Sequence, residues 1–100
     1  KRRFAKQLRQ AHARLKAYEI PEPRLRLHRM AKRWGSCTPT GEILLNPELM
    51  KAPGACIEYV IIHELCHLKH PNHSRAFFGM LDAALPDWRK RKDRLERVEI

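Results

Sequence analysis

His63-Glu64-Leu65-Cys66-His67, followed by His73 six residues later, is the stretch that decides how this chain is read. On a helix, four residues turn about 400° and rise about 6 Å, so His63 and His67 leave one face a turn apart. That spacing lets both imidazoles reach one tetrahedral Zn²⁺ at about 2.0–2.1 Å. Glu64 lies about 100° around the helix from His63. It is not needed as a ligand and stands beside the remaining metal position, where a carboxylate can take a proton from water. This is the H-E-x-x-H arrangement of zinc-dependent peptide hydrolysis.

The flanks support a helix. Ile57, Val60, Ile61, Leu65 and Leu68 recur at helical spacing. Pro53-Gly54 marks a start, and Pro71 disfavours helical geometry at His70, so the predicted helix runs from Pro53 to Lys69. His73 completes the spacing of the longer pattern H-E-x-x-H-x-x-G-x-x-H, which makes His63, His67 and His73 the candidate metal ligands and Glu64 the candidate base. His70 stands where that pattern has glycine, so the turn falls to His70, Pro71 and Asn72. The competing reading, a buried helix with incidental surface histidines, leaves the third histidine in register unexplained.

Upstream, Phe4, Leu8, Ala11, Leu15 and Tyr18 predict an amphipathic helix over residues 2–18, with His12 beside the stripe as a packing or surface residue. Pro21 and Pro23 end it. Leu25 and Leu27 alternate with Arg24, Arg26 and His28 as in a half-buried strand. A second strand is expected around Arg33–Cys37. Pro39-Thr40-Gly41 has turn chemistry, and Glu42–Leu45 reads as the returning strand of a hairpin. Asn46-Pro47 is a cap followed by an N1 proline for a short helix through Met50. After the motif, Ser74 or Asn72 caps a helix bearing Phe77, Phe78, Leu81 and Leu85. Pro86 breaks it, and Asp87 caps a last helix seated by Trp88, Leu95 and Val98. The Arg89-Lys90-Arg91-Lys92 run reads as a solvated face.

One hundred residues allow a single domain, 1–100, and the opening on Lys1 suggests a trimmed or C-terminal catalytic portion of a longer protein. There is no run of eighteen apolar residues, so no membrane span is expected. Cys37, Cys56 and Cys66 are odd in number and form no C-x-x-C pair, which points to a reducing compartment and a cytoplasmic location. Net charge is +10, and residues 1–36 hold twelve Lys/Arg against Glu19 and Glu22. Lys1, Arg2, Arg3, Lys6, Arg9, Arg14 and Lys16 would be the cations of a nucleic-acid face; a solvated surface is the favoured meaning.

Arg33-Trp34-Gly35-Ser36-Cys37, Gly41, Asn46-Pro47, Tyr59–Leu68, Asn72-His73-Ser74, Phe77-Phe78 and Pro86-Asp87-Trp88 together resemble the YgjP-like metallopeptidases, small zinc-peptidase-like proteins related to the WLM and SprT-like domains. Phe78 departs from the tryptophan frequent there. The resemblance spans nearly the whole chain. It implies an α+β, zincin-like fold: an N-terminal helix, a small three-stranded sheet, the H-E-x-x-H helix and closing C-terminal helices. It also implies Zn²⁺ on His63, His67 and His73, Glu64 as general base, and an edge strand over the cleft that pairs with an extended peptide substrate. Asn46, Tyr59, Arg33 and His70 are oxyanion-stabilising candidates by residue type, each with a structural role favoured. Trp34 is expected to pack, and Gly35 to allow close backbone approach. The alternatives are a DNA-associated SprT-like protease, or an inactive zinc-containing module binding nucleic acid or a partner. A structural zinc site usually has four protein ligands, commonly with cysteine, which disfavours the module.

Overall fold

The apolar stripe of the first helix is what docks it. The computed structural model describes residues 2–98, and Lys1 lies outside them. Helix α1 (Arg2–Arg14) buries Phe4, Leu8 and Ala11. The α-helix stops short of the predicted Tyr18 and tightens into a 3₁₀ turn, Lys16–Tyr18, closed by Glu19 at φ 56° with its N–H on the Lys16 carbonyl. His12 explains the tight turn: its Nε2 lies 2.6 Å from the Ile20 carbonyl oxygen, fastening the chain back onto α1.

Three strands follow: β1 (Arg24–Leu27), β2 (Gly35–Cys37) and β3 (Glu42–Leu45). Their order is β1-β3-β2, so the predicted β2–β3 hairpin forms and β1 adds to its other side in parallel. Gly41 sits at φ 92°, in the region L side chains avoid, and Thr38 Oγ1 accepts from the Glu42 N–H at 3.1 Å, which together fix the hairpin turn. Pairing Leu25 with Ile43 and Leu27 with Leu45 puts the four apolar side chains on the core face.

Asn46 follows directly and is fully buried. Its Oδ1 accepts from the Glu48 N–H at 3.0 Å, capping a 3₁₀ turn, Pro47–Lys51, where a short helix was predicted. Its Nδ2 donates to the Met30 carbonyl at 2.8 Å and the Arg33 carbonyl at 3.0 Å. This one side chain therefore ties the loop before β2 to the end of β3.

Helix α2 (Gly54–Lys69) is the axis of the molecule, and its interior residues are buried on nearly every side. The first helix packs along it, β2 lies across it, and α3 (Arg75–Ala84) and α4 (Trp88–Leu95) close the remaining faces. Gly35 makes the β2 contact possible: a Cβ there would stand 2.8 Å from Val60 Cγ1. Ser74 Oγ caps α3 by accepting from the Phe77 N–H at 3.2 Å.

Three details differ from the sequence reading. Asp87 precedes α4 at φ −96°, ψ 23°, away from the extended geometry of a side-chain cap, and its carboxylate instead accepts from Arg91 Nε at 2.9 Å. Arg91 also donates to the Ala55 carbonyl at 3.1 Å and to Glu58, so the Arg89–Lys92 run contains a clamp between α4 and α2 as well as solvated cations. Arg14 reaches Glu58 at 2.7 Å and the Ala84 carbonyl at 2.8 Å, which withdraws it from any free basic face. Among the described residues no helix is long and apolar enough to cross a membrane. All three cysteines are free thiols.

Candidate metal centre and active site

His63 and His67 leave α2 one turn apart, and the turn at 70–72 returns His73 to them. Ring centroids stand 4.8 Å apart for His63–His67, 5.6 Å for His63–His73 and 4.6 Å for His67–His73. One ligand nitrogen from each ring lies within 4.8 Å of the others. His70 does not need to be glycine for this to happen. Its φ of −130° and ψ of 96° are extended, which any residue adopts, and its N–H ends the helix on the Cys66 carbonyl at 2.8 Å.

Ring orientation is set from outside the trio. His67 Nδ1 lies 3.3 Å from the His70 carbonyl oxygen, and His63 Nδ1 lies 3.2 Å from Glu64 Oε2. A proton on each Nδ1 suits both oxygen acceptors and would leave each Nε2 lone pair free for a cation. Phe77 supports all three rings at centroid distances of 5.3, 4.4 and 4.9 Å. Being fully buried on α3, it joins the site to the core. Burial first, and then the neighbouring His63 charge, push the His67 pKa down, favouring the neutral form that binds metal.

The trio forms part of the wall of a cleft of about 860 Å³. The β2 strand and its flanks, residues 33–39, make one wall, and α2 makes the opposite wall with Tyr59, Val60, His63, Glu64 and His67. Lys92 and Leu95 of α4, with Glu96 just after it, also line the cleft. Glu64 is only 6% exposed, so the carboxylate sits inside the wall beside the histidines. Because β3 is the central strand, the second edge of β2 has no strand partner among the described residues. Three imidazoles sharing a small volume, with a carboxylate adjacent and no fourth protein ligand in the cluster among the described residues, suit a cation that keeps an open coordination position.

Over residues 1–98 the sequence matches the family described as YgjP-like, metallopeptidase domain. The chain belongs to that family. No curated protein matches it. Its structure is similar to that of the metallopeptidase zymogen of Pyrococcus abyssi abylysin, with a TM-score of 0.82 and 23% identity over 92% of this chain and 90% of that one. At that identity the likeness speaks for the fold, and it agrees with the expected α+β zincin-like architecture. A metal-dependent peptidase domain is thus the class to which this YgjP-like chain belongs.

The structure also sorts the remaining candidates. Asn46 has all its hydrogen-bonding capacity turned inward and does not line the cleft. His70 contributes its backbone carbonyl rather than its ring. Arg33 and Tyr59 do line the cleft. Tyr59 stacks on Trp88 at 6.2 Å, and burial, then the charges of Glu64 and Glu96, push its hydroxyl up to about 12, so it stays a neutral donor. Trp34 both packs against the core and lines the cleft. His12 and His28 stay outside the site, as expected.

Sequence reasoning overlooked Cys37. Its thiol is pushed up to about 11, first by burial and then by the Glu64 carboxylate, through its charge and as a hydrogen-bond acceptor. The signal was available in the period-2 alternation of β2: if Gly35 faces α2, so does Cys37. Cys66, the small buried hydrophobe anticipated, is pushed up to about 12 by burial and then by Glu64.

Proposed function

We propose that this YgjP-like domain is a zinc-dependent peptidase in which His63, His67 and His73 hold the metal and Glu64 is the general base. The observation that carries the reading is the convergence of three histidine nitrogens within 4.8 Å on a cleft wall that also holds the buried Glu64. Three neutral imidazoles suit Zn²⁺, and the described residues leave one position open. When bound, the ion supplies Lewis-acid polarisation of a carbonyl and acidifies water.

The chain's own residues do the rest. His67, through its Nδ1 bond to the His70 carbonyl, and His63, through Glu64, keep their Nε2 atoms aimed into the cleft. The Glu64 carboxylate accepts the proton of the attacking water and passes it to the nitrogen of the leaving amine. One of its oxygens lies 3.2 Å from His63 Nδ1, and the Cys37 thiol sits beside it, so the carboxylate is held in place at the cleft. The unpaired edge of β2 offers backbone N–H and C=O groups to an extended substrate across the cleft from Glu64. Tyr59 is the neutral donor for the oxyanion, and Cys37, held protonated beside Glu64, does not compete as a nucleophile.

The test is metal analysis with proteolysis of an unstructured protein substrate, wild type beside Glu64→Gln. One zinc per chain in both proteins and hydrolysis in the wild type alone is the expected outcome. Equal hydrolysis, or zinc lost from Glu64→Gln, would sink the assignment.

A further inference from the structure

The two ends of the cleft differ in charge. Gly35 lies on Val60, with a Cβ there only 2.8 Å from Val60 Cγ1, and Cys37 lies beside Glu64. From Gly35 to Cys37, β2 therefore runs in the direction of α2, toward the metal trio. Extending it backward carries Arg33 away from Glu64, toward the N-terminal half of α2, where Arg91 of α4 binds the Ala55 carbonyl and Glu58; Lys92, Leu95 and Glu96 line the same cleft. Cys37 lies four residues after Arg33, with only Gly35–Cys37 in strand, a span of at most about 13 Å at 3.3 Å per residue.

Glu96 is already paired. Lys92 Nζ bonds Glu96 Oε2 at 2.8 Å. Arg33 makes no ion pair among the described residues. Its backbone, by contrast, is tied down: the buried Asn46 holds the Arg33 carbonyl at 3.0 Å, and the Asn46 N–H holds the Trp34 carbonyl at 2.9 Å. Arg33 is thus an exposed, uncompensated cation on a fixed stalk at the cleft rim.

Resting on the peptidase reading above, we propose that Arg33 is a specificity-determining residue that selects substrates with an acidic side chain on the C-terminal side of the scissile bond. An extended peptide gains slightly more by pairing antiparallel to β2 than parallel. Antiparallel, its N-terminal residues enter past Thr38 and Pro39, and its C-terminal residues leave past Gly35 and Arg33. With the scissile bond abreast of Glu64, and so of Cys37, Arg33 four residues back meets the fourth or fifth residue after it. Arg33 also lines the cleft two residues before β2, so a side chain of a peptide paired with that edge and running on past Gly35 comes to it.

The experiment uses the Glu64→Gln protein as a non-cleaving trap. Fluorescein-labelled ten-residue peptides of Ala, Val and Thr carry Glu, Gln or Lys at one scanned position, and binding is read by anisotropy. Wild type then cuts the same peptides, and mass spectrometry maps the sites. Glu peptides are expected to bind about threefold to fivefold tighter than Lys peptides, the scale of an exposed ion pair, and the margin shrinks in high salt. Arg33→Glu in the same background should reverse the order, and Arg33→Lys should keep it. Circular dichroism checks that each variant is folded. Cuts should place the acid four or five residues after the cleaved bond. Binding indifferent to charge, or a preference unchanged in Arg33→Glu, overturns the inference while leaving the peptidase reading intact. Peptides neither bound nor cut overturn both.

Discussion

Replacing Asn46 with alanine should cost the domain about 3 kcal/mol, by a sum that can be taken bond by bond. Losing an N-cap acceptor to alanine costs about 1 kcal/mol, and here Oδ1 caps the Pro47–Lys51 turn. Each carbonyl left without a partner costs about 1–3 kcal/mol, and Nδ2 serves two, on Met30 and Arg33. Met30 is half-buried and Arg33 exposed, so water can reach the released oxygens and the lower figure applies to each. In a domain of about 100 residues, 3 kcal/mol lowers Tm by about 12–24 °C. Urea and thermal unfolding of wild type, Asn46→Ala and Asn46→Asp measure this directly. Asn46→Asp keeps the cap acceptor but sets a carboxylate against two carbonyl oxygens, so it should fall at least as far as alanine. A Tm within a few degrees of wild type in either variant would refute the claim that Asn46 ties the β2 loop to β3.

His73→Ala should lower zinc affinity sharply while His12→Ala and His28→Ala leave it unchanged, as measured by competition with a chromogenic chelator. Full retention of zinc in His73→Ala would remove it from the ligand set. For nucleic acid we expect no detectable duplex or single-strand binding at about 150 mM salt, where the Debye length is about 8 Å. Genuine binding through Arg2, Lys6 and Arg9, exposed along α1, and Lys16, exposed in the turn after it, would instead show a slope of about −0.9 in log K against log salt for each duplex phosphate neutralised.

Much of the site was written in local spacing. His63, Glu64 and His67 share a helix, and helix geometry alone relates their side chains. His73 was within reach because Pro71 ends that helix and Ser74 starts the next, leaving a short turn between them. Strand alternation likewise announced β1 and the hairpin, and the Asn46-Pro47 pair announced its cap. Family membership of residues 1–98 agrees with the resemblance read from those motifs.

What the sequence alone determined, then, is whatever depends on neighbours within one helical turn or one hairpin: the elements, their caps, and the candidate trio with its glutamate. Tertiary structure decided the relations between distant segments. β1 pairs with β3 in parallel, Phe77 braces three histidines from α3, Cys37 sits against Glu64, Arg91 clamps α4 to α2, and Arg33 comes to the wall of the cleft. The physical reason is range. Spacing along one element follows from fixed backbone geometry, whereas these contacts form only when buried surfaces choose each other, as the missing Cβ of Gly35 lets β2 settle on Val60.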